Sequence, residues 1–190
     1  MSSSSPIQSV FRLFGRLTRP SDLLLEPARR RQAELLAAMQ IFTMPVGLVA
    51  VGVEFWTNPE YFVMLPVLMV SFALGPVHYV LARSRYARWG CWTQVINSFL
   101  TVSVGIYVSP GTEEGTWFLC LPILFAQLLL GERAAAILGI LAIIECLLMQ
   151  LQVWTAVSPS WMQIAFLALV TTVVVLMGIR RTLIERDRSQ

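Results

Sequence analysis

The chain has 190 residues, 56% of them hydrophobic and only 13% charged, with a mean hydropathy of +0.69. A soluble domain of this size needs more charge to cover its surface, so the composition excludes an ordinary water-soluble globule. All 14 basic residues are arginines. They gather at the ends of apolar runs, which matches the +3 net charge to anionic lipid rather than to nucleic acid.

No phosphate-binding GxxxxGK[ST] loop, zinc-type cysteine spacing or basic strip with interleaved strands occurs. Cys91, Cys120 and Cys146 fall within or at the edge of apolar segments and read as buried free thiols. His78 is the only histidine, so a histidine-rich metal site is excluded. No nucleophile–base pair or pair of carboxylates stands out. The sequence therefore predicts no enzyme, no metal and no cofactor.

Residues 1–26 read as a cytoplasmic N-terminal segment, without the apolar core and cleavage site of a secretory signal. Within it Ile7, Val10, Phe11, Phe14 and Leu17 recur at helical spacing, with Arg12, Arg16 and Arg19 on another face. That pattern predicts a short interfacial amphipathic helix ended by Pro20, with a frayed basic tail as the alternative. Pro27 suits the first turn of a helix, and Arg29, Arg30 and Arg31 mark the boundary of an apolar region.

The fold class expected is all-α: a polytopic membrane protein with six transmembrane helices bundled over residues 27–182. The spans fall at 35–56, 61–82, 89–108, 116–130, 134–155 and 161–179. Each is near the ~20 residues needed to cross a ~30 Å hydrocarbon layer, the fourth being the shortest. Helices are expected because lipid offers no partner to unpaired backbone groups. Turns are predicted at Asn58-Pro59-Glu60, at the membrane surface within residues 79–89, over residues 109–115, at Gly131-Glu132-Arg133 and at Ser158-Pro159-Ser160. Pro45, Pro66, Pro76 and Pro122 are expected to kink spans or mark helix contacts.

The arginines orient this arrangement. Arg12, Arg16, Arg19, Arg29, Arg30 and Arg31 precede the first span, Arg83, Arg85 and Arg88 follow the second, and Arg133 follows the fourth. Arg180, Arg181, Arg186 and Arg188 follow the sixth. In a six-span chain all lie on one side, and the other side carries Glu54, Glu60, Glu113 and Glu114. The positive-inside rule then places both termini in the cytoplasm of a cell membrane.

Glu145 is the one acidic residue deep in a predicted span, twelve residues past Arg133, or about 18 Å along a helix axis. A carboxylate at that depth is costly and is protonated, paired or turned to a polar cavity. Asn97, Thr101, Thr171 and Thr172 reach broadly similar depths. Two readings stay open: a ligand- or proton-sensing site, or a structural hydrogen bond between helices. Gln40, His78, Gln94 and Gln127 form a second polar layer nearer the arginine side, with the same two readings. Phe55, Trp56, Trp117, Phe118, Trp154 and Trp161 cluster at the outer ends of spans, as an aromatic belt does.

Pro27 through Met39, with its run Pro-Ala-Arg-Arg-Arg-Gln-Ala-Glu-Leu-Leu-Ala-Ala-Met, resembles the entry to the first helix of six-span membrane sensor modules. Such modules precede the output domains of bacterial histidine kinases and diguanylate cyclases. Tyr79-Val80-Leu81-Ala82-Arg83-Ser84-Arg85-Tyr86 is similar to their turn of the form Y-x-L-x-R-[ST]-R-Y, with looser likeness at Leu121-Pro122 and Arg180-Arg181. The resemblance implies a last span continuing into a signalling helix, which residues 183–190 begin. It implies a homodimer and a cytoplasmic signalling partner, while no phospho-acceptor or cyclase motif is present in this chain.

The function expected is thus a receptor-like module that couples a ligand, a proton or a bilayer signal to the end of the sixth helix. Two alternatives come from other classes. One is a substrate-binding subunit of an energy-coupling-factor type transporter, docking a partner through Ala33 and Ala37. The other is a membrane anchor or assembly protein, with Arg12, Arg16, Arg19, Arg83, Arg85 and Arg88 contacting lipid or a partner.

Overall fold

A computed structural model describes residues 15, 17–19, 26–57, 63–108, 113–151 and 159–187. Among these, helices and their connecting turns make up the whole chain, with no strand. The α-helices are α1 (Pro27–Thr57), α2 (Leu65–Ala82), α3 (Ala87–Val108), α4 (Cys120–Leu129), α5 (Glu132–Gln150) and α6 (Trp161–Asp187). A 3-10 helix, Glu113–Leu119, leads directly into α4. Two compact units are formed, one from Met1–Val53 and Phe72–Gln94, the other from Glu54–Ser71 and Val95–Gln190.

Among the described residues, four helices are long and apolar enough to cross a membrane: α1, α2, α3 and the Trp161–Arg180 portion of α6. The fourth expected span takes a different form. It opens on the end of the 3-10 helix, at residues 116–119, and Cys120–Leu129 is α-helical. Pro122 lies in the first turn of that α-helix, where its missing N–H leaves no intrahelical bond unmade. Pro66 likewise sits in the first turn of α2, so these two prolines start helices instead of kinking spans. Pro45 and Pro76 do lie inside α1 and α2. The expected fifth span corresponds to α5, with residues 152–155 outside the described set. Of the amphipathic N-terminal helix, only Gly15, Leu17, Thr18 and Arg19 are described, and the first three are helical.

In the first unit α1 starts at Pro27, where a missing N–H costs nothing. Glu26 pairs with Arg29 (2.7 Å) and Glu34 with Arg30 (3.5 Å), both pairs about half exposed and therefore of small net value. A β-carbon at Gly75 would overlap the Met44 thioether, and one at Gly90 would press on Leu36 and Leu81. Bare backbone at these two positions is what lets α2 and α3 approach α1. The α2–α3 connection is a four-residue turn. Ser84 closes it by donating to the Leu81 carbonyl (2.9 Å) while its oxygen accepts from the Tyr86 N–H (3.0 Å).

In the second unit α4, α5, α6 and the 3-10 helix pack together. Ala135, Gly139, Ala142, Cys146 and Met149 are buried along α5 and alternate at four and three residues, which puts them on one face. Small side chains on that face allow a close helix contact: a β-carbon at Gly139 would overlap the Thr171 side chain of α6. Between α4 and α5, Leu130 and Gly131 both donate to the Ala126 carbonyl (2.8 and 2.9 Å). Gly131 there has φ 95° and ψ −177°, a region that only glycine enters readily. Helix α6 begins with a reciprocal cap: the Ser160 N–H donates to Gln163 Oε1 (2.7 Å) and the Gln163 N–H to Ser160 Oγ (3.3 Å).

Candidate functional site

Glu145 lies on α5 beside the buried Cys146. Ser103 of α3, itself only 7% exposed, donates its hydroxyl to Glu145 Oε2 at 2.9 Å. The α5 carboxylate is thereby tied to another helix. Tyr107 lies one turn beyond Ser103 on the same face of α3. Ser103 was not among the residues singled out from the sequence.

Asn97 and Thr101 do come together, and they share Ser71 of α2 as a third member. Ser71 Oγ contacts Asn97 Oδ1 (3.3 Å) and Thr101 Oγ1, while Thr101 donates to the Asn97 carbonyl (2.7 Å). Two hydroxyl protons serve three contacts here. The set closes fully when the Asn97 amide N–H faces Ser71, giving a chain from amide to Ser71 to Thr101 to carbonyl. That arrangement is an interhelical lock. Thr171 is not joined to either group by a hydrogen bond: it donates to Leu167 of its own helix (2.7 Å) and fills the groove at Gly139. Thr172 is exposed and bonds Ala168.

The expected second polar layer divides between the units. In the first, Gln40 Nε2 donates to Gln94 Oε1 (2.7 Å). Gln40 and His78 are 4% and 2% exposed, and His78 Nδ1 is buried with no hydrogen-bond partner among the described residues. Gln127 belongs to the second unit. Its Oε1 is buried with no hydrogen-bond partner among the described residues, and its amide nitrogen packs over Gly178.

Among the described residues no group of three or more His, Cys, Asp or Glu is placed to hold a metal ion. Ala33 and Ala37 are fully buried within the chain, so they offer no open stripe to a docking partner. Of the arginines expected to contact lipid, Arg12 and Arg16 lie outside the described residues. Arg19, Arg83, Arg85 and Arg88 are exposed. Trp56, Phe118 and Trp161 are also exposed, whereas Trp117 packs edge-on against Phe166 with ring centroids 4.8 Å apart. Trp154 is outside the described residues.

No protein family, curated protein or solved structure matches the chain.

The second unit offers the Glu145 carboxylate held by the Ser103 hydroxyl. The first unit separately offers the buried His78 imidazole and the Gln40–Gln94 amide pair.

Proposed function

We propose that this chain is a membrane-embedded, receptor-like module in which the Glu145–Ser103 contact biases the packing of α6. The hydrogen bond between α5 and α3 is the observation that carries the reading, because an ionisable group inside an apolar helix is a functional suspect by default. Two features support transmission to α6. Helix α5 meets α6 along a tight small-residue seam, and α6 continues unbroken for seven residues past Arg180, to Asp187. A change in the state of Glu145, by ligand or by proton, favours one of two packings of α5 and α6 and shifts that exit helix.

Six crossings complete the proposal. The 3-10 helix and α4 together reach about 29 Å and α5 about 28 Å at standard rises, each close to the hydrocarbon thickness. Both termini then face the cytoplasm with every arginine. The extensive exposure of Val46, Val49, Leu176 and Met177 fits a surface solvated by lipid.

The test is hydrogen exchange over residues 180–187 in the full chain reconstituted in nanodiscs, at pH 5 and pH 8. The wild type is expected to show a pH-dependent change in exchange, and Glu145→Gln to lose it while retaining its melting profile. An unchanged pH response in Glu145→Gln removes Glu145 from the mechanism.

A further inference from the structure

We infer that the α2–α3 turn is a binding site for the headgroup of an anionic phospholipid. The turn joins two helices that are each apolar enough to cross a membrane, Leu65–Ala82 and Ala87–Val108. Only four residues separate them, so on the membrane-embedded reading the turn stays at headgroup depth, and lipid phosphate is the anion at hand.

The turn is built around two held guanidinium groups. Arg83 lies over the Tyr79 ring, 5.7 Å from its centroid, and donates to the Tyr79 hydroxyl (3.2 Å). That hydroxyl in turn donates to the Leu17 carbonyl at 2.8 Å, which fixes the ring. Arg85 lies 4.8 Å over the Tyr86 ring and donates to its hydroxyl at 2.6 Å. Both distances fall in the cation–π range. An ordered guanidinium loses less freedom when it takes a phosphate than a free one does.

Their charge is also unspent. Arg29 and Arg30 are paired with Glu26 and Glu34, but Arg83, Arg85 and Arg88 have no carboxylate partner among the described residues, and all three are exposed. Trp89, 67% exposed, and Tyr86, 47% exposed, stand beside them as side chains suited to the interface. Three uncompensated cations with a bordering indole and phenol complement a phosphate above an acyl chain.

Native mass spectrometry of the full chain in mild detergent tests this, with titration of phosphatidylglycerol against phosphatidylcholine of identical acyl chains. The wild type is expected to prefer phosphatidylglycerol, with about fivefold of preference per contacting arginine. R83Q/R85Q/R88Q is expected to bring the preference near parity. R133Q/R180Q/R181Q, which removes the same charge elsewhere, is expected to retain most of it. Y79F/Y86F changes no charge but removes both hydroxyl anchors, and is expected to lose at least half of the preference. Equal loss in the two arginine triples, or an unchanged preference in Y79F/Y86F, would mean diffuse attraction and overturn the site. Because Y79F/Y86F keeps every arginine, it decides the matter even where the triple fails to fold.

Discussion

At the scale of single residues, Gly131 is the position where backbone conformation most constrains the side chain. Its φ of 95° with ψ of −177° is essentially closed to other residues. Gly131→Ala is expected to destabilise the chain by about 1–3 kcal/mol, measured as a lower denaturation midpoint in detergent. The glycine and the turn were legible in the sequence, because Gly-Glu-Arg between two apolar runs is strong turn chemistry. The partner of Glu145 was not. Ser103 is one of several small hydroxyl residues along α3, and helical spacing does not say which of them meets α5. Ser71 escaped for the same reason, although its neighbours Asn97 and Thr101 were singled out for their depth within the third expected span.

At the scale of elements, the α5–α6 seam and the α6 cap set how firmly the last helix is held. Gly139→Ala is expected to destabilise by pressing on Thr171. Gly139→Ala combined with Thr171→Ala should recover part of the loss, giving a coupling of about 0.5–3 kcal/mol in a double-mutant cycle. Additive effects would mean that the two side chains do not share that groove. Ser160→Ala removes one half of the reciprocal cap and is expected to cost about 1 kcal/mol, visible as faster exchange in the first turn of α6. The helix ends were readable where Pro27, Ser84 and Gly131 punctuate the chain. The 3-10 start of the fourth segment was not, because its apolar composition looks the same whether the backbone winds as α or 3-10. Pro122 carries the only local hint, and it tells where an α-helix can begin rather than what precedes it.

At the scale of the whole molecule, charge placement organises the account. Every arginine lies ahead of the apolar part of α1, in or just after the α2–α3 turn, just after the α4–α5 turn or after the apolar part of α6, and the proposed six crossings would put all of them on one side. The four described helices that are long and apolar enough to cross a membrane, α1, α2, α3 and the apolar part of α6, were legible from apolar run length alone. The two further crossings of the proposal would use α5 and a composite 3-10/α4 segment of about 29 Å. The direct measurement is labelling of single introduced cysteines in intact cells with a membrane-impermeant maleimide, after Cys91, Cys120 and Cys146 are replaced by alanine. Six crossings predict that Thr57→Cys, Gly115→Cys and Ser160→Cys label from outside, and that Ser84→Cys and Arg133→Cys label only after the membrane is opened. Labelling of Arg133→Cys from the same side as Gly115→Cys would contradict the six-crossing account.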